Sequence, residues 1–140
     1  MTILEAVKTY LLTYPSLETG ALLLVNHLGP DPVGYTIVPL PGEKVLEWYV
    51  DGGSSRAYYF AFQSVESTAD ELERLENCGF FEDLSTWFET QSNAGTLPSL
   101  GSGKTATWIE ATGFGYLFEQ GQSETGIYQI QCRLTYEQQP

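Results

Sequence analysis

The chain has 140 residues, 42% of them hydrophobic and 14% aromatic, enough for one self-standing domain and too apolar for a disordered polymer. Eighteen acids against six bases give a formal net charge of −12. Such a surface repels phosphate backbones and anionic lipid, which disfavours sequence-independent nucleic-acid binding and membrane-surface binding.

Thr2-Ile3-Leu4-Glu5 has capping-box spacing. Ile3, Val7, Tyr10 and Leu11 recur at three and four residues, the stripe of an amphipathic helix lying over a core. Pro15 bars its predecessor from the helical region, so this helix should end near Thr13 or Tyr14. The run is short and carries Glu5 and Lys8, which fits neither a signal peptide nor a membrane span. Ala21 to His27 is a short apolar run, ambiguous between helix and strand by period but short enough for a buried strand, and Gly29-Pro30-Asp31-Pro32 breaks the chain after it. Val33 to Val38 is the next strand, with Tyr35 and Ile37 on one face. Pro39 and Pro41 close it as at a sheet edge.

Val45 to Ser64 is the stretch around which the domain should be organised. It reads as two strands joined by a tight turn at Asp51-Gly52-Gly53-Ser54. Tyr58, Phe60 and Phe62 fall on one face and Ala57, Tyr59 and Ala61 on the other. That pattern predicts a hairpin at the centre of the core, covered on both sides.

From Ser67 the composition turns helical, with a cap at Ser67-Thr68 and with Asp70 and Glu71 in the first turn. Leu72, Leu75 and Cys78 form a stripe, and Gly79 is placed as a left-handed cap. A second helical segment should then start at Phe80 and bury Phe81, Leu84, Trp87 and Phe88, ending at Asn93-Ala94-Gly95. Eight acids and one base lie between Glu66 and Glu89, which puts much of the negative charge on this helical layer. Thr96 to Thr105 is a loop; Thr107 to Glu110, Gly115 to Glu119 and Gly126 to Tyr136 are strands, the last two joined by a hairpin over Gly121 to Thr125. In the last strand Tyr128, Ile130, Cys132, Leu134 and Tyr136 make the core face. Glu137 to Pro140 reads as a polar tail.

Few residues carry chemistry. Gly101-Ser102-Gly103-Lys104-Thr105 looks like the end of a phosphate-binding loop. It has Pro98 where that motif needs glycine, and a strand rather than a helix should follow. His27 is the single histidine, so metal sites built on several histidines are excluded. Cys78 and Cys132 lack metal spacing and read as reduced cytosolic thiols, one of them buried. Glu82 and Asp83 are adjacent on a helix and point apart, so they form no acid–base dyad. The residues predict no enzyme, no cofactor and no metal.

Several pieces stand in a recognisable order: Tyr14-Pro15, Tyr35-Thr36-Ile37 with Pro39 and Pro41, and Tyr49-Val50-Asp51-Gly52-Gly53-Ser54 leading to Arg56. Asn77-Cys78-Gly79-Phe80 with Trp87, Leu97-Pro98-Ser99-Leu100-Gly101, Gly115-Tyr116-Leu117-Phe118 and Tyr128 to Leu134 follow. The set covers nearly the whole chain. It resembles the minor capsid or tail-terminator-like (tail completion) proteins of phages and prophages of Gram-positive hosts. The resemblance implies a single tail-terminator-like domain over residues 1–140. Its fold would be α+β, a mixed or mainly antiparallel sheet with an N-terminal helix and a central helical pair packed on it. It further implies a virion protein at the head–tail junction, assembled in the host cytoplasm, that caps the tail tube and joins it to the head. Its partners would be further copies of itself in a ring, often a hexamer, the tail-tube protein, and head-completion or connector proteins. Six copies would carry roughly −72, a lumen through which DNA passes without sticking. Two loops are the expected interfaces: Asp51, Gly52, Gly53 and Ser54 with Arg56, and Leu100, Gly101, Ser102, Gly103 and Lys104. The alternative is a small monomeric protein- or ligand-binding module of a prophage; a nucleotide enzyme would depend on Lys104.

Overall fold

The computed structural model describes residues 2–15, 22–25, 34–67, 71–120 and 125–140, with the backbone alone at 22–25, 34, 65–67, 71–78, 120 and 125. Expectations for His27, for the break at residues 29–32, for Thr68 and Asp70, for the side chains of Leu72, Leu75 and Cys78, and for the link at 121–124 lie outside these. In chain order the elements are α1 (Ile3–Leu11), β1 (Leu22–Val25), β2 (Gly34–Leu40), β3 (Val45–Trp48), β4 (Ser54–Ser67), α2 (Glu71–Ala94), β5 (Lys104–Ala111), β6 (Tyr116–Gln120) and β7 (Thr125–Gln138). The fold is α+β, built on a seven-stranded sheet that is mainly antiparallel, with one parallel pair, β1 and β2.

Two strands of 14 residues, β4 and β7, form the middle of the sheet, paired from Ser54↔Gln138 to Ser67↔Thr125. Each outer flank carries two shorter strands instead of one long one. On β4 these are β2 and β3, separated by residues 41–44; on β7 they are β5 and β6, separated by residues 112–115. Pro39 lies within β2, one residue beyond the expected end of that strand. β1 pairs β2 only as far as Ile37, so the missing N–H of Pro39 falls on an edge where it breaks no ladder.

Both helices lie on the sheet face formed by Tyr35, Ile37, Phe60, Phe62, Ile109, Tyr128, Ile130, Cys132 and Leu134. Phe60 and Phe62 are fully buried, each contributing about 1.5–3 kcal/mol by the apolar area removed from water. Tyr10 and Tyr14 of the α1 region pack on Trp87 of α2, with ring centroids 5.1 and 5.0 Å apart. The opposite sheet face has no helix on it among the described residues. Its Ala57 and Ala61 are buried all the same, because small side chains lie low between larger cross-strand neighbours. Burial of these alanines reads in sequence like a second covering layer.

The hairpin forms, with its turn earlier than Asp51-Gly52-Gly53-Ser54: the Gly52 N–H donates to Tyr49 O at 3.1 Å, so Val50 and Asp51 are the central residues. Gly52 follows at φ 91°, the Gly53 N–H donates to Asp51 Oδ1 at 2.8 Å, and Ser54 already opens β4. The hairpin's far strand is central, as expected. Its near strand, β3, is an exposed flank: Trp48 is 64% exposed and Val50 fully so. Ser67, expected as a helix cap, is the last residue of β4. The expected polar tail is partly strand: Glu137 and Gln138 complete β7, and the Gln139 N–H donates to Gly103 O at 2.8 Å.

The cap of α1 is as read from the sequence, Thr2 Oγ1 accepting from the Glu5 N–H at 3.1 Å. The helix ends at Leu11, earlier than Pro15 alone would require. The N–H groups of Thr13 and Tyr14 turn back to Tyr10 O and Leu11 O and tighten the last turn.

The expected helical pair is instead one helix of 24 residues running through Gly79. Gly79 is not among the glycines with positive φ, so it makes no cap. Phe81, Leu84 and Phe88 are fully buried and pin a continuous stripe to the sheet. That anchorage outweighs the roughly 0.5–1 kcal/mol a mid-helix glycine costs. The helix stops where the sequence placed its end: Gly95 has φ 77°, its N–H donates to Ser92 O, and the Thr96 N–H donates to Gln91 O at 2.9 Å. A Cβ added at Gly79 would meet nothing within 4 Å. Gly79→Ala is therefore expected to stabilise the protein by about 0.5–1 kcal/mol, read as a higher urea midpoint at unchanged slope.

Alkali should act through the buried phenols. The Tyr10 hydroxyl donates to Thr96 O at 2.8 Å, and burial pushes its pKa up to about 12. Burial also raises Tyr58 and Tyr136. The unfolded chain ionises these phenols near pH 10 and the folded chain only above it. Their contribution is thus intact below pH 10 and lost as pH rises from there through about 12. The Tm should fall over that window, and Tyr10→Phe should shallow the fall.

Candidate interaction surface

Reactive groups are few. Cys132 is buried, and burial pushes its thiol far above the usual range, which leaves little thiolate. Among the described residues no group of three or more His, Cys, Asp or Glu side chains is placed to hold a metal. Gly101 and Gly103 take positive φ, 93° and 78°, and Lys104 opens β5 directly. No helix N-terminus stands behind the loop to cradle a phosphate.

The end of the sheet where β4 begins and β7 finishes brings the two predicted loops together. Ser54 and Lys104 both pair with Gln138, one from each side. Between them a recess of about 370 Å³ is lined by Tyr49, Asp51, Gly53, Thr105 and residues 137–140. The Tyr49 hydroxyl donates to Glu137 Oε1 at 3.0 Å, and that carboxylate raises the tyrosine pKa. Asp51, Gly52, Gly101 and Ser102 are exposed here, while Arg56, Gly103 and Lys104 are half-buried. Gly53, Ser54 and Leu100 are buried, which removes the side chains of Ser54 and Leu100 from any contact surface. Ser54 Oγ accepts from Arg56 Nε at 2.9 Å, and Leu100 joins the core. Arg56 in turn lies 5.4 Å from the ring centroid of Trp48, a cation–π contact that fixes the guanidinium beside the indole.

The loops are not the most unusual surface. Leu46, Trp48, Tyr49 and Val50 form an exposed apolar cluster on β3 and its turn. Phe114, Tyr116, Leu117 and Phe118 are exposed on the other flank, Phe114 81% so, with Leu117 opposite Tyr128 on the helix face and Tyr116 opposite Gln129 on the other face. The two groups lie on opposite flanks of the sheet and toward opposite ends of β7, since β3 reaches the Ser54↔Gln138 end while Tyr116 pairs with Gln129. Beside Phe114 the break at residues 112–115 meets α2 and leaves a recess of about 330 Å³, lined by Phe81, Glu82, Ser85, Thr86, Gly113, Phe114, Gly115 and Ile130. Exposed apolar groups of this kind mark interaction sites. The sequence carried their signals: Val50 precedes the turn-forming Asp51-Gly52-Gly53, and Phe114 stands between two glycines.

The helix-free sheet face is polar and largely satisfied. Gln63 Nε2 donates to Gln129 Oε1 at 2.5 Å, and Gln129 Nε2 donates to the Tyr116 hydroxyl at 2.7 Å. Arg133 is ion-paired with its cross-strand neighbour Glu110, whose hydrogen bond is the largest influence holding the guanidinium charged. Pairs already matched within one chain offer little to a partner.

Compared with protein-family models and with curated proteins, the sequence matches neither a family model nor a curated protein. No helix among the described residues is long and apolar enough to cross a membrane.

Proposed function

We propose that this protein is a phage structural protein that caps the tail tube and joins it to the head, working as a ring of identical copies at the head–tail junction. The observation that carries this reading is the pair of exposed apolar groups, Leu46–Val50 and Phe114–Phe118, on opposite flanks of one sheet. A surface that is self-complementary only between two different patches assembles head to tail, and head-to-tail contacts close into rings when the rotation per copy allows. The excess of acid supports the same reading, because a negative lumen gives passing DNA no phosphate contacts. The resemblance of the chain's motif order to tail-completion proteins suggests the tail tube, the connector and the virion as context. Co-sedimentation with tail tubes assembled from a cognate tail-tube protein tests the role. Capped tubes that pellet with the protein would support it, and a protein left wholly in the supernatant would count against it. The monomeric binding module draws on one observation, the recess of about 330 Å³ beside Phe114, which is at the small end of ligand pockets.

A further inference from the structure

We infer that the β3–β4 hairpin tip of one copy, led by Trp48 and Val50, seats in the recess between α2 and residues 112–115 of the next copy. The inference rests on the ring reading and assigns its contact. Within one chain the two surfaces cannot meet: the recess lies over Ile130 and the tip beyond Gln138, about 26 Å further along β7 and on the other flank.

The chemistry matches. The recess offers the apolar walls of Phe81, Phe114 and Ile130, and its volume of about 330 Å³ has room for an isopropyl group or an indole. Val50 is fully exposed at the point of the turn, and Trp48 stands behind it. Given their exposures, each group shows roughly 400 Å² of apolar surface. Burying both in full would remove at most about 800 Å², an upper bound that approaches the apolar share of a standard interface of about 1,600 Å². Arg56 and Lys44 lie behind the tip, while Glu82 lines the recess. Tip against tip would oppose Arg56 to Arg56, and recess against recess Glu82 to Glu82. The hairpin's own Glu43, Glu47 and Asp51 outnumber Arg56 and Lys44, so charge does not set the direction and apolar area, with a convex tip against a concave recess, carries the contact.

A mixing experiment tests the seating. Val50→Asp spoils only the tip and Phe114→Asp only the recess; both side chains are exposed, and a far-UV spectrum and urea midpoint verify each fold. The pair Trp48→Ser and Thr86→Asp repeats the design at other positions. By sedimentation velocity, wild type should form closed assemblies and each variant alone should stay at 15.6 kDa. An equimolar mixture should double in mass and stop there, because one intact tip and one intact recess remain between the two proteins. A monomeric mixture, or a single variant that assembles like wild type, would overturn the seating; so would a wild type that stays monomeric. The joining role fails on a different result, wild type that leaves tail tubes unbound, so the two can be told apart.

Discussion

Phe62→Ala is expected to lower the unfolding free energy by about 3–5 kcal/mol, measured by urea denaturation. Phe62 is at the middle of β4, paired with Ile37 on one side and Ile130 on the other, and fully buried. Its ring centroid lies 5.5 Å from Tyr35, 6.2 Å from Phe80 and 6.3 Å from Phe81. Truncation therefore opens a cavity at the point where the sheet meets α2, with rigid rings around it that collapse poorly. A loss of that size is a fifth or more of the about 5–15 kcal/mol a domain of this kind has. Val50→Ala, on an exposed turn, should stay within about 0.5 kcal/mol of wild type. An equal loss at both positions would mean that the core has been assigned to the wrong face.

Gly115→Val is the second large effect, and it arises from space rather than from backbone conformation. A Cβ at Gly115 would fall inside contact distance of Phe81 Cβ and Cγ. Phe81 is fully buried, and its Cβ is next to the α2 backbone, so it cannot swing clear. Either α2 or the 112–115 break must move, at a cost of about 1–3 kcal/mol. A Cβ at Gly113 meets nothing within 4 Å, so Gly113→Ala should be close to neutral on the same urea scale. Equal effects at the two glycines would show that the break is not pressed against α2.

What the sequence made legible is whatever strict alternation or a cap encodes. The core set of β7 follows from its period of two, the α1 cap from Thr2 and Glu5, and the end of α2 from Gly95. Gly79 misled because its local preference is a cap, while the packing of Phe81, Leu84 and Phe88 keeps the helix going. Val45, Trp48 and Val50 misled because strand-forming residues look alike at the centre and on a flank. The breaks at residues 41–44 and 112–115 decide which flank stays open, and they depend on pairing far along the chain. The two predicted loops do lie at one end of the sheet, yet Ser54 and Leu100 turn inward. Exposure of Trp48 and Phe114 is a property of the assembled sheet, not of the residues next to them.

The most direct test of the ring reading is the mass in solution, by light scattering on the purified protein alone and with its cognate tail-tube protein. The account predicts a fixed multiple of 15.6 kDa that does not drift with dilution, or a defined complex with the tube. A mass of 15.6 kDa under both conditions would contradict it.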